Sequence, residues 1–173
     1  VDELAGKPFD RALLDAVAAR CAGGVVADLG CGPGQVGRYV GATVGLDLSR
    51  PMLRHAPFPL RVQGDLRALP FAPGSLAGIV AFYCYIHLES LDVAFAEARR
   101  VLGDRGVFVV SFHEGDGSVL HRDEWYGKPI DISVKIWPKS EVDAALGRAG
   151  FTIESSVVRE VYDGELFPRL YVT

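Results

Sequence analysis

Three carboxylates and three glycines are the residues of this chain best placed to do chemistry. Asp28 closes the apolar run Val25-Val26-Ala27, and Gly30, Gly32 and Gly34 follow at every second position. Asp47 closes a second apolar run nineteen residues later, and Asp65 sits in Gly64-Asp65-Leu66 after a third. Glycines behind a strand let a ligand approach the backbone, and a helix starting there presents free amides. Carboxylates accept hydrogen bonds from a cationic amine, a ribose diol or an adenine amino group. Singly, each feature reads as a turn or a helix cap. In this order and spacing they describe one rim built to hold a nucleoside-like ligand.

The elements that must position this rim follow from hydrophobic periodicity. Phe9, Leu13, Leu14 and Val17 predict a helix over 9–21. Strands are expected at 25–29, 43–48, 60–63, 78–83 and 106–112, with helices from Gly34 to about 40 and over 91–102. Ser49 caps a short helix expected over 50–56, with Pro51 at its first position. The connection 113–137 is long enough to suggest function or an extra element. Within it Ile130, Ile132, Val134 and Ile136 alternate with other residues and predict an edge strand. Val142, Ala145, Leu146 and Ala149 mark a helix closed by Gly150, before strands at 151–161 and 167–173. Strands alternating with helices predict an α/β fold with a mainly parallel sheet covered on both faces. Its ligand belongs at the carboxyl ends of the strands, beside the switch point.

Size and composition narrow the function classes. At 173 residues, 49% apolar and 23% charged, the chain is expected to be one domain over 1–173 that buries a core without metal or disulfides. A net charge of −4 argues against a nucleic-acid partner. Cys21, Cys31 and Cys84 have neither the count nor the spacing of a disulfide framework or zinc site, which fits a reducing cytoplasm. No His, Asp or Glu set has metal-ligand spacing. No run is apolar enough for a membrane span. Arginine outnumbers lysine fourteen to four, which fits a GC-rich bacterial genome. The Val1 start and strand-like end suggest that residues are missing from both ends, among them an N-terminal lid.

The motifs resemble those of the class I S-adenosylmethionine-dependent methyltransferases, of the small-molecule, type 11-like kind. Asp28-Leu-Gly-Cys-Gly-Pro-Gly34 is similar to their first motif, and Gly45-Leu-Asp-Leu-Ser-Arg-Pro-Met-Leu53 to their second. Gly64-Asp-Leu-Arg-Ala-Leu-Pro-Phe71 resembles the third, and Glu97-Ala-Arg-Arg-Val-Leu102 the helix before strand five. The resemblance is close over 25–112. It implies a Rossmann-like, doubly wound, seven-stranded sheet in the order 3-2-1-4-5-7-6 with the last strand antiparallel. The cofactor it implies is S-adenosylmethionine, leaving as S-adenosylhomocysteine. Carried over by position, Gly30 and Gly32 contact the methionine and ribose portions, Asp28 anchors the motif near the amino group, and Cys31 and Gly34 belong to the same cofactor-binding set. Asp47 takes the ribose hydroxyls, Leu48 and Met52 sandwich the adenine, Asp65 and Leu66 read its edge, and Phe82 completes the set. The chain departs from the family pattern at Leu76-Ala-Gly-Ile-Val80 and Gly103-Asp-Arg-Gly106.

Methyl transfer is an in-line displacement that needs a general base only when the acceptor must lose a proton. His87 and His113 are the candidate bases, beyond strands four and five. Tyr83, Tyr85, Trp125 and Tyr126 are candidates for an acceptor pocket. The Asn/Asp-Pro-Pro-Tyr motif of amino-methylating enzymes is absent. With the acidic charge, this favours a small-molecule acceptor. Two alternatives compete. Gly32-Pro-Gly-Gln-Val-Gly37 also fits the fingerprint of a nicotinamide-dependent oxidoreductase, but Asp47 follows its first glycine by only fifteen residues. A non-catalytic relative of the methyltransferases would keep the cofactor shape with a degraded rim.

Overall fold

A computed structural model describes residues 4, 6–125 and 128–173, with the side chains of Trp125 and Lys128 left aside. Helix α1 (Pro8–Arg20) starts at a proline suited to a first turn and buries Leu14 and Val17. Strand β1 (Val26–Leu29) is buried at every position, as a continuous apolar run inside a parallel sheet must be. Then come α2 (Gln35–Val40), β2 (Val44–Asp47), α3 (Arg50–Leu53) and β3 (Leu60–Gln63). β4 (Leu76–Phe82) leads through a 3-10 turn at Tyr85–His87 into α4 (Asp92–Val101) and β5 (Leu102–His113). β6 (Val119–Trp125), β7 (Lys128–Lys135), α5 (Lys139–Arg148), β8 (Ser156–Arg159) and β9 (Arg169–Val172) complete the chain.

Seven strands form one sheet in the order β3-β2-β1-β4-β5-β9-β8. Counting only strands of this sheet, that is the expected 3-2-1-4-5-7-6. β1 to β5 run parallel, and β9 runs antiparallel to both β5 and β8. Among the described residues, two apolar clusters cover the sheet. One packs α4 and α5 through Phe95, Phe108, Phe112 and Leu146, the other packs α1 and α2 through Leu14, Val17 and Val40.

Three expectations need correction. The edge strand expected over 130–136 is β7, which begins earlier, at Lys128, ends at Lys135 and pairs with β6 in a separate two-stranded hairpin. Its alternation is real, with Val134 and Ile136 buried in the core that also holds α4 and α5. The short helix ends at Leu53, because Ser49 caps a single turn whose carbonyls are already used by His55 and Ala56. The strand expected over 151–161 shrinks to Ser156–Arg159, since only that stretch pairs with β9.

Candidate active site

Strand order reverses between β1 and β4, and a cavity of about 820 Å³ opens at the carboxyl ends there. That volume suits a small-molecule or cofactor site. Gly30 and Gly32 form its floor, Asp47, Leu48, Met52, Asp65 and Leu66 one wall, and Tyr83, Cys84, His87 and Leu88 the other.

The floor requires glycine for two separate reasons. Gly30 has φ +63, and a Cβ there would lie 2.2 Å from Cys84 Cβ. Gly32 has φ +52, but nothing stands within 4 Å of its would-be Cβ. Its missing side chain therefore leaves open space over the cavity, which a ligand can use. The residues present fit the cofactor of the resembled family on this observation.

Asp47 ties the floor to the wall. Its Oδ2 accepts from the Gly32 amide at 2.8 Å and its Oδ1 from the Ser49 amide at 2.7 Å. The carboxylate is thus held in place at the cavity edge with lone pairs to spare. Leu48 is 69% exposed and Met52 47%, so two apolar side chains face the cavity unburied. An apolar ring between them would remove that surface from water. Asp65 also lines the cavity, but Arg67 holds it. Its Oδ1 accepts from the Arg67 amide at 2.8 Å and Nε at 3.0 Å, and its Oδ2 from Nη2 at 2.7 Å. These bonds keep the carboxyl below the usual carboxylate range. Arg67 was missed in the sequence, although an acid and an arginine two residues apart in a turn were legible. Ile132, from β7, also reaches the cavity and was missed as a site residue.

Several expected contacts lie elsewhere. Asp28 is 2% exposed and its Oδ2 accepts from the Gly37 amide at 2.9 Å, so it anchors α2 beneath the loop. Burial lifts its carboxyl to about 7, partly offset by that amide and reinforced by the Asp47 charge. Cys31 is buried with its thiol pushed up to about 12 by desolvation and two nearby acids. Burial also holds the Cys84 thiol well above its ordinary value, so neither is a thiolate near neutral pH. Gly34 packs under Pro57 and Phe58, and Phe82 joins the α1 side of the core, edge-on to Tyr83 and Tyr171. Tyr85 is not an acceptor-pocket residue. It is fully buried among Phe95, Phe108 and Phe112. Tyr126 and the Trp125 side chain fall outside the described residues.

The two histidines sit at the same end in different hydrogen-bond states. His87 lines the cavity, and its Nδ1 is 2.9 Å from the Ser133 carbonyl. A carbonyl only accepts, so Nδ1 carries the proton and Nε2 the lone pair. His113 stacks on Tyr83 with centroids 5.1 Å apart, and its Nδ1 is bonded to Arg169 Nη1. A guanidinium only donates, so Nδ1 accepts and the proton is on Nε2. Burial and Arg169 push His113 down to about 4.

Known proteins match this arrangement. The methyltransferase domain family matches residues 27–110. The malonyl-[acyl-carrier protein] O-methyltransferase of Geobacter sulfurreducens is 32% identical over 147 residues, 73% of this chain and 55% of that protein. The chain therefore spans little more than half the length of this curated relative. An S-adenosylmethionine-dependent methyltransferase from Mesorhizobium loti shares the fold at TM-score 0.72 and 20% identity, over 93% of this chain and 94% of that one. So does the 1,6-didemethyltoxoflavin-N1-methyltransferase of Burkholderia thailandensis, bound to 1,6-didemethyltoxoflavin and S-adenosylhomocysteine. Its TM-score is 0.71 at 20% identity, covering 94% of this chain and 74% of that one. Residues 27–110 of the chain thus carry a methyltransferase domain, with the four motifs and the sheet order of the class I S-adenosylmethionine-dependent methyltransferases.

Proposed function

We propose that this chain, acting as a single domain over residues 1–173, transfers a methyl group from S-adenosylmethionine to a small-molecule acceptor. A bacterial cytoplasm is its expected setting; no described helix is long and apolar enough to cross a membrane. The observation that carries the reading is the cavity at the switch point. There Gly32 leaves open space beside a fixed Asp47 carboxylate and two exposed apolar side chains.

When bound, the cofactor supplies an activated methyl on a sulfonium. The chain's own residues do the rest. Gly30 and Gly32 admit the methionine and ribose portions to the backbone. Asp47 accepts from the ribose hydroxyls, Leu48 and Met52 cover the adenine faces, and Asp65 and Leu66 meet its polar edge. Tyr83 bounds the acceptor end. The His87 Nε2 lone pair removes the proton of an acceptor that has one to lose. His113 cannot serve as base through Nδ1, which Arg169 occupies. It is a neutral ring that stacks on Tyr83. Small-molecule recognition is favoured by the acidic chain and by the 1,6-didemethyltoxoflavin bound to the Burkholderia protein of like fold.

Thermal unfolding with S-adenosylhomocysteine and, in parallel, NADH tests the reading. A ligand at 100 times its Kd adds about 2.7 kcal/mol. For a domain of this size that raises Tm by roughly 5–10 °C. A shift with S-adenosylhomocysteine alone is expected; a shift with NADH alone overturns the assignment.

A further inference from the structure

Behind the acceptor end of the cavity lies a buried polar chain that the cofactor motifs do not explain. Asp10, on α1, is 1% exposed. Its Oδ1 accepts from the Tyr171 hydroxyl at 2.8 Å. Tyr171, on β9, is 3.0 Å from the Tyr83 hydroxyl. A phenol has one proton, and that of Tyr171 goes to Asp10, a carboxylate that only accepts. Tyr83 therefore donates to Tyr171. The direction of the chain is fixed: Tyr83 to Tyr171 to Asp10.

Two features argue against mere packing. Asp10 Oδ2 has no hydrogen-bond partner; its ion-pair partner Arg159 stands 4.0 Å off, because Arg159 Nη2 is spent on Glu165 and on the Tyr171 hydroxyl, to which it donates at 3.2 Å. Apolar side chains of like volume would join α1 to the sheet without desolvating a carboxylate. Moreover, Tyr83 alone among the described non-glycine residues has positive φ, at +54. An aromatic residue adopts that region only when its surroundings impose it, and such strain gathers at functional sites. The kink turns the Tyr83 ring to the cavity wall, against the bonded pair His113 and Arg169, and sets the next residue, Cys84, against Gly30.

We propose that Asp10 is a positioning residue for methyl transfer: through Tyr171 it holds Tyr83 in its strained conformation as the wall of the cavity's acceptor end. The proposal rests on the methyltransferase reading for what the wall faces. α1 is then part of the active-site machinery and not only a cover for the sheet.

Four substitutions and two readouts decide it. The first readout is the Kd for S-adenosylhomocysteine by calorimetry. The second is the pH titration of His113 by NMR, which needs no cofactor and reports whether Tyr83 still covers that ring. Tyr171→Phe breaks the chain. It is expected to weaken S-adenosylhomocysteine by about threefold to tenfold and to move His113 up toward its ordinary value. Asp10→Leu should do the same. Asp10→Asn keeps an acceptor oxygen for Tyr171 and should restore most of both. In a Tyr83→Ala background, Tyr171→Phe should add nothing to the Kd, because the coupling runs through Tyr83. The proposal is overturned if Tyr171→Phe lowers Tm while Kd and His113 stay as in wild type. It is equally overturned if the full loss persists without Tyr83. Failure of the wild type to bind S-adenosylhomocysteine would count against the methyltransferase reading, and the His113 titration would still decide the role of Asp10.

Discussion

Asp28→Asn isolates the cost of burying a carboxylate under the glycine loop. Asp28 has no cation beside it, and burial raises its carboxyl from 3.8 to about 7 in the folded chain. An acid raised on folding stabilises the fold relative to its ionised form at low pH. Its contribution is fully present below the unfolded value of 3.8 and is lost as pH rises through about 7. Integrated from pH 6 to pH 8, the loss is about 1.4 kcal/mol for this one group. Asparagine keeps an oxygen for the Gly37 amide and has no charge to desolvate. The stability of Asp28→Asn relative to wild type should therefore rise by about 1.4 kcal/mol between these pH values, or roughly 3–5 °C in Tm. Urea unfolding of both proteins at pH 6 and pH 8 measures it. Comparing the two chains cancels the other titrating groups, His113 among them. Parallel pH profiles would refute the reasoning, because they would mean that Asp28 ionises in the fold as it does in water.

Asp47→Ala removes two charge-assisted hydrogen bonds from the cavity edge along with the proposed ribose contact. Calorimetry should show S-adenosylhomocysteine weakened on the order of a hundredfold, and unchanged binding would make the ribose assignment wrong. His87→Ala should lower turnover about 10²- to 10⁴-fold with little change in cofactor affinity, once an acceptor is in hand. The opposite pattern would move His87 into the cofactor site. Tyr85→Phe deletes a buried hydroxyl that has no partner. It should leave S-adenosylhomocysteine binding intact and stability equal or higher by up to about 1 kcal/mol in urea; lost binding would restore Tyr85 to the pocket.

The rim was legible because its signals are local. Asp28 and Gly30 to Gly34 lie in one strand-to-helix turn, and Ser49 caps within three residues of Met52. Covalent neighbours set such geometry, so spacing alone carries it. The hairpin was legible only by half. The alternation of 130–136 marked a strand, but its partner β6 mixes charged and apolar residues without a clean period. Tyr85 illustrates a different failure. Tyr83, Tyr85 and His87 alternate as if on one face of a strand, but the chain has left β4 by then. The kink at Tyr83 and the 3-10 turn that follows send Tyr85 into the core and His87 to the cavity.

The two histidines show why the remainder could not be read. Little local distinguishes His87 from His113: each stands at or just past the end of a strand of the sheet, and each follows an aromatic or apolar residue. What separates them comes from the far side of the fold. Ser133, forty-six residues on, fixes the proton of His87 to Nδ1; Arg169, fifty-six residues on, keeps Nδ1 of His113 free of one. Asp10 reaches Tyr171 across 161 residues. The proposed cofactor rim rests on short-range geometry, whereas the proposed acceptor end is assembled by contacts from α1, the β6–β7 hairpin and β9. Those elements lie wholly or partly outside the matched segment 27–110. A search for the acceptor therefore belongs there: altering β7 should change which molecule is methylated, while altering the β1 and β2 ends should change how well the donor is held.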